Sequence, residues 1–323
     1  MKKQTIVKQN EKTKNEKTKN EKTNQSTIRN YSLFALLALL CLTFWAYTPS
    51  LNGELTNWDD PAYVTNNTLI KDLSFESLKA FFTETVVFNY HPLTMLSLSA
   101  NYQISGLNPY SYHLVNLLFH LFNTILVFYF ISLLTSGKKI VAWIVAALFA
   151  LHPMHVESVA WISERKDVLY AFFMLASMIC FVFYIQQQKR KFYIYSFLLA
   201  ILALLSKPAA VVLPFLLFLL DFWFQRSFSV KAILEKIPFF VLAVIIGVLT
   251  VLAQADNALA NVTEYTLWQK TAFASYGFLM YFFKLLCPFN LSAFYPYPIS
   301  SSGESLSLTC LLYTSPSPRD IGE

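Results

Sequence analysis

The chain has 323 residues, 55% of them hydrophobic and only 14% charged, with a mean hydropathy of +0.45. Soluble globular domains carry about 25% charged residues, so this composition excludes them and indicates a membrane protein. The formal net charge of +6 belongs wholly to residues 1–30, which hold eight lysines, Arg29 and three glutamates; the remainder balances sixteen basic against sixteen acidic side chains. The basic balance thus describes a tail, and no nucleic-acid partner is expected.

Residues 1–30 contain an imperfect repeat, Glu11-Lys-Thr-Lys-Asn, Glu16-Lys-Thr-Lys-Asn and Glu21-Lys-Thr-Asn, with nothing apolar to bury. Such a segment is expected to be a disordered cytoplasmic tail that follows the positive-inside rule. Residues 31–298 then form the membrane domain. A first span over about 31–49 carries the chain outward; it is not a cleavable signal, because the basic region is too long and further spans follow. Residues 50–110 form a long external loop. Ser74 to Phe88 predicts an amphipathic helix with Phe75, Leu78, Phe81 and Phe82 on one face, and Thr94 to Tyr102 a second, both resting in the membrane surface.

Further spans are expected at about 112–134, 140–151 (completed by 153–162), 168–185, 192–206, 209–224 and 238–253. Thr271 to Leu286 is either an eighth span or an interfacial helix. The fold class is therefore an all-α, polytopic bundle of seven to eight spans. Basic clusters at Lys138-Lys139, Lys189-Arg190-Lys191 and Arg226, Lys231 and Lys236 mark the inner loops, while most acids fall outside. The N-terminus is cytoplasmic and the site extracytoplasmic, with a bacterial inner membrane as the expected location. Residues 299–309 read as the start of a continuation, and 310–323 as a non-native tail on a chain truncated near 309. Cys41, Cys180, Cys287 and Cys310 form no disulfide or metal pattern.

The densest chemistry lies in 152–167, where His152, His155, Glu157, Glu164, Arg165, Lys166 and Asp167 stand between apolar runs. Ionisable groups packed so closely at a membrane edge mark a site. Under the expected topology they share the outer face with Asp59, Asp60, His91 and Lys207, and His113 lies near it. The carboxylates can serve as a general base and the cations can hold a phosphate. The spacing of His152 and His155 lacks the helical i, i+4 pair of zinc sites, so no metal is assigned and hydrogen bonding is the reading; a divalent metal stays open as a cofactor. Asp59-Asp60 can equally open a turn before Pro61. His120 and Asn116 fit interhelical hydrogen bonds, Lys207 can snorkel, and Asp221 can pair with Arg226 or Lys231. Asn261-Val-Thr263 fits a glycosylation acceptor.

Four segments carry a resemblance. They are Trp58-Asp59-Asp60-Pro-Ala-Tyr63-Val64; Tyr90-His91-Pro-Leu93 with Asn101-Tyr102, Tyr112-His113-Leu-Val-Asn116 and His120; His152-Pro-Met-His155-Val-Glu157-Ser-Val with Glu164-Arg165-Lys-Asp167; and Leu205-Ser-Lys207-Pro. In this order the chain resembles the C-type superfamily of lipid-phosphate-sugar glycosyltransferases, and within it the transmembrane and tetratricopeptide-repeat O-mannosyltransferase group. The resemblance implies inverting transfer of a hexose from a polyprenyl-phosphate sugar to a protein or glycan hydroxyl. It implies Asp59, with Asp60, as the catalytic pair, and Arg165, Lys207, His152 and His155 as donor-phosphate ligands. Glu157, Asp167, His91 and His113 support them. His91 departs from the group, which often carries Arg there, and no tetratricopeptide repeats follow in this sequence. The rival readings are a transporter or lipid-sugar flippase and a non-catalytic membrane scaffold. Transporters gather ionisable groups near the bilayer midplane, whereas here they gather at helix ends.

Overall fold

The computed structural model describes residues 31–254, 267–292 and 295, and the expectations for 1–30, 261–263 and 299–323 fall outside them. The described residues are mostly helical and form no strand, with one isolated bridge between Val86 and Asn89. Helix α1 covers 31–47, and a 3₁₀ turn extends it to Asn52. The long loop holds α2 (Phe75–Thr83) and α3 (Pro92–Ser105). The bundle continues through α4 (Pro109–Leu134), α5 (Lys139–Leu151), the short α6 (Val156–Ala160), α7 (Arg165–Gln187) and α8 (Arg190–Ser206). It closes with α9 (Leu213–Trp223), α10 (Val230–Leu234), α11 (Ile237–Gln254) and α12 (Leu267–Leu286).

Four of these helical stretches are long and apolar enough to cross a membrane, or five when α5 is joined to the 153–160 segment across a 52° bend. Helix α8 has 17 residues and Pro208–Trp223 is likewise short. At 1.5 Å per residue, such helices reach about 25 Å against a hydrocarbon core of about 30 Å, so of the seven to eight expected spans only four or five have full spanning length.

Sequence explains the breaks. A residue before proline is driven to extended backbone. His152 (ψ 128°) ends α5 before Pro153, and Lys207 (ψ 131°) ends α8 before Pro208. Helix α2 begins as expected, with the Ser74 hydroxyl accepting from the Ser77 N–H, but stops at Thr83 rather than Phe88. The β-branched run Thr85-Val86-Val87 resists helix, and Val86 and Asn89 close a tight turn instead. Only Leu78 and Phe81 of the expected face meet the loop core; Phe75 and Phe82 remain exposed.

Small residues set the close helix contacts, as they must where lipid offers no hydrophobic drive. Ala142, Ala146 and Ala150 form a fully buried stripe on α5 against α1 and α4. The Ser177 hydroxyl donates to the Ser196 carbonyl at 2.7 Å, tying α7 to α8. Around the loop, Tyr63, Val64, Ile70, Phe81, Met95, Leu98, Tyr112 and Ile162 make a separate core, which fixes the loop over the start of α7.

At the opposite end of the bundle, Asp221 pairs with Arg226 at 3.4 Å, as expected, but its second partner is the fully buried Lys236 rather than Lys231. Arg226 also grips Glu235 through both terminal nitrogens, at 2.6 and 3.1 Å.

Candidate active site

Helix α7 begins where the long loop and the end of α8 converge, and this junction gathers Asp59, Asp60, Glu164, Arg165, Lys166, Asp167 and Lys207. Lys166 stands 3.0 Å from Glu164 and 4.0 Å from Asp59. Lys207, at the end of α8, pairs with Asp167 and lies 3.3 Å from Glu164. The result is a ladder running Asp59, Lys166, Glu164, Lys207, Asp167. Burial opposes charge on Lys207, but Asp167 and Glu164 outweigh it and hold the ammonium above its ordinary pKa. Lys207 thus turns inward to an ion pair rather than snorkelling. The Ser158 hydroxyl donates to the second oxygen of Asp167 at 2.9 Å, linking the ladder to α6.

The adjacent aspartates are placed differently. Asp60 is fully buried, and its carboxylate accepts four hydrogen bonds. One oxygen takes the Thr56 N–H (2.8 Å) and hydroxyl (3.0 Å); the other takes the Ser163 N–H (3.0 Å) and hydroxyl. These bonds hold Asp60 in α backbone (φ −57°, ψ −33°), a conformation that the following Pro61 disfavours. Asp59 keeps 35% of its side chain exposed and, among the described residues, has Lys166 as its one cation.

Arg165 is fully buried and meets no carboxylate within ion-pair distance among the described residues. Its donors go to neutral oxygens: Asn116 Oδ1, Ser97 Oγ at 3.0 Å, Asn101 Oδ1 at 3.0 Å and the Tyr112 carbonyl at 3.0 Å. It joins α3, α4 and α7 at one point. Asn116 also donates to the Trp161 carbonyl at 3.0 Å, so the turn before α7 is tied to the same hub.

The histidines divide between two places. His152 accepts the Met154 N–H and meets the Leu285 carbonyl at 2.9 Å through Nε2. Its ring lies 6.2 Å from that of His155, which in turn lies 6.1 Å from His120. His120 Nε2 bonds across to the Ala150 carbonyl at 3.0 Å, the interhelical tie expected from its position. His113 Nε2 reaches the Gly53 carbonyl at 3.2 Å. His91, 3% exposed, caps the start of α3 with its ring stacked on Tyr63. Burial first, then Lys166 and Lys207, push its pKa down to about 3, so the ring is neutral. Glu157 is exposed on α6. Among the described residues, no group of three or more His, Cys, Asp or Glu is arranged to hold a metal ion.

The junction therefore brings Asp59, Asp60, Asp167, Lys207, Arg165 and His91 together, with His152, His155 and Glu157 on the neighbouring α6 segment and His113 beneath the loop. Sequence reasoning counted Glu164 in the outer charged set and Tyr63 in a motif without a specific role, and it read Lys166 as solvated interfacial charge, whereas Lys166 is buried between Glu164 and Asp59. Each lies in or beside a quoted motif, but the contacts of Lys166 with Asp59, Glu164 with Lys207 and Tyr63 with His91 cross between segments distant in sequence.

The fold and this junction define a polytopic helical membrane protein with an acid–base cluster at one end of its bundle. Comparison with known proteins narrows this. The chain is 41% identical over 100 residues to human protein O-mannosyl-transferase TMTC2, covering 29% of this chain and 11% of that protein. It is 37% identical over 93 residues to human TMTC3, covering 29% and 10%. A Caenorhabditis elegans protein O-mannosyl-transferase is 29% identical over 215 residues, or 62% of this chain and 29% of the relative. The resemblance to the transmembrane and tetratricopeptide-repeat O-mannosyltransferase group thus stands over part of the chain, which spans under a third of the length of these relatives. No family model and no solved structure matches.

Proposed function

We propose that this chain forms the membrane part of a glycosyltransferase that moves a hexose, mannose foremost, from a polyprenyl-phosphate donor to a hydroxyl acceptor, with protein O-glycosylation as the reaction. The observation that carries the reading is Asp59, a half-exposed carboxylate held beside the Lys166 ammonium at the head of the ladder. In an inverting transfer, Asp59 takes the acceptor's proton as its oxygen attacks the anomeric carbon. The bond from that carbon to the phosphate oxygen breaks, and the electron pair leaves with the lipid phosphate. Lys207, with His152 and His155 on the adjoining segment, receives that charge. Arg165 and Asp60 act through other groups: Arg165 fixes the start of α7, and Asp60 fastens the loop to Ser163. Glu157, Asp167, His91 and His113 complete the surround.

The orientation follows the charge pattern. Lys138, Lys139, Lys189–Lys191, Arg226, Lys231 and Lys236 fall at the helix ends away from Asp59, which supports a cytoplasmic reading of that end and an extracytoplasmic reading of the site.

The test uses membranes carrying the full chain, wild type or Asp59→Asn at equal expression, with labelled polyprenyl-phosphate mannose and glucose. Transfer to protein by wild type and its loss in Asp59→Asn is the expected result. Equal transfer by both would remove Asp59 as the base, and no transfer by either would remove the glycosyltransferase reading.

A further inference from the structure

Buried side-chain polar atoms without a hydrogen-bond partner are confined, among the described residues, to Tyr63, His91, His113 and Asn123. Two of the four touch: the His91 and Tyr63 rings stack at 5.2 Å with an interplanar angle of 17°. Neither imidazole nitrogen of His91 has a partner, nor does the Tyr63 hydroxyl, and both side chains are essentially closed to solvent. Asn89 approaches the phenol with its side-chain amide and gives one of its two N–H bonds to the Val87 carbonyl at 2.8 Å. Each orphaned group costs as much as a broken hydrogen bond, and native proteins keep such groups where something else completes them.

Position says where that completion falls. The Lys166 ammonium lies 5.0 Å from the centre of the Tyr63 ring and 4.0 Å from Asp59. The Thr94 hydroxyl, three residues after His91, donates to the Ser206 carbonyl at 2.8 Å, directly before Lys207. The orphaned pair therefore adjoins the base and the ladder. The turn that delivers His91 is also strained: Val87 and Phe88 have φ of +49° and +58°, left-handed backbone that a β-branched or bulky residue rarely adopts. Strain of this kind collects at ligand sites, where other contacts hold it in place.

Chemistry says what fits. An uncharged imidazole offers one donor and one acceptor, and a phenol offers both from one oxygen. Neither carries charge for a phosphate, and the neighbouring cations already serve that purpose. A hydroxyl, which both donates and accepts, matches the set. We propose that Tyr63 and His91 form a hydroxyl-recognition subsite of the candidate active site, taking either a ring hydroxyl of the transferred hexose or the hydroxyl of the acceptor. This rests on the glycosyltransferase reading above.

The experiment uses the full chain in nanodiscs, as wild type, Tyr63→Phe and His91→Phe. Because the replaced atoms have no partner in the protein, both variants should unfold at or above the wild-type temperature. If the hexose is the source, affinity for polyprenyl-phosphate mannose falls about tenfold or more, while affinity for polyprenyl phosphate alone is unchanged. If the acceptor is the source, KM for a serine/threonine peptide rises by that factor and donor affinity holds. Variants that transfer and bind like wild type would overturn the subsite and leave the enzyme standing. Loss of thermal stability in both would overturn it as well, by showing structural partners for these groups. A wild-type chain that neither binds the donor nor transfers sugar would remove the glycosyltransferase reading and the subsite together.

Discussion

Replacing Asp60 by asparagine should weaken the fold, and replacing Asp59 in the same way should not. Asparagine keeps the shape of Asp60 but turns one acceptor oxygen into a donor, which then faces either Thr56 or Ser163. A hydroxyl can rotate to accept from it; the backbone N–H of Thr56 or Ser163 cannot. One N–H, that of the exposed Thr56 or the buried Ser163, is left unpaired, and the remaining bonds lose their charged acceptor. Bonds to charged groups are worth roughly 1.5–3 kcal/mol and an orphaned group costs about 1–3, so a loss on the order of 2–4 kcal/mol follows for Asp60→Asn. Asp59 has 35% of its side chain exposed and one cation at 4.0 Å. A pair of that kind is worth about 1 kcal/mol at most. Thermal unfolding of the detergent-solubilised full chain, wild type beside each variant, measures the contrast. Equal shifts for the two variants, or the larger shift in Asp59→Asn, would refute the separation of the pair into an anchor and an open carboxylate.

Arg165→Lys should destabilise by roughly 2–4 kcal/mol, because an ammonium cannot span the acceptors on α3 and α4 and leaves some of them unpaired; an unfolding temperature within a degree of wild type would contradict this. Asp221→Asn should cost about 3–5 kcal/mol by leaving Lys236 buried against the Phe181 and Phe218 rings without its carboxylate, and restoration in Asp221→Asn/Lys236→Met is the control. His91 stays neutral down to about 3, whereas an unfolded histidine takes a proton near 6.5. The unfolded state then binds more protons between those values, so stability falls as pH drops through the window, at up to about 1.4 kcal/mol per pH unit. His91→Phe should flatten that slope, and identical slopes would count against a buried neutral ring. Gly53→Ala should destabilise by about 1–2 kcal/mol, since its Cβ would stand 3.0 Å from both the His113 ring and the Ser50 carbonyl; unchanged unfolding would show that the His113 ring can give way.

Much of the bundle was legible because proline and apolar length speak directly through local geometry. The breaks at His152-Pro153 and Lys207-Pro208, and the histidine-rich stretch between two apolar runs, needed no tertiary information. The different placements of Asp59 and Asp60 did. Both look alike in sequence, and only the approach of Ser163 from a segment about a hundred residues away separates them. Arg165 misleads for a similar reason: it reads as a cation available to a ligand, yet neutral oxygens of Ser97, Asn101, Tyr112 and Asn116 enclose it. Pattern alone shows charge, and burial depends on which helices cross. The early end of α2 was within reach, because Thr85-Val86-Val87 is a poor helix former, but the apolar periodicity masked it.

Asp60, His91, His152 and Lys207 each stand immediately before a proline, and the last two close one helix while opening the next. Each side chain is thereby indexed to a rigid ring rather than to the length of the helix behind it. Insertions in the far hairpin around Gln188, or a turn added to the far end of α4, would change how the bundle fits its bilayer and leave these four positions in phase. A single residue inserted between any of them and its proline would throw that position out of phase at once. The chain can therefore diverge in thickness and far-side loops under different membranes while the end that bears Asp60, His91, His152 and Lys207 keeps its geometry.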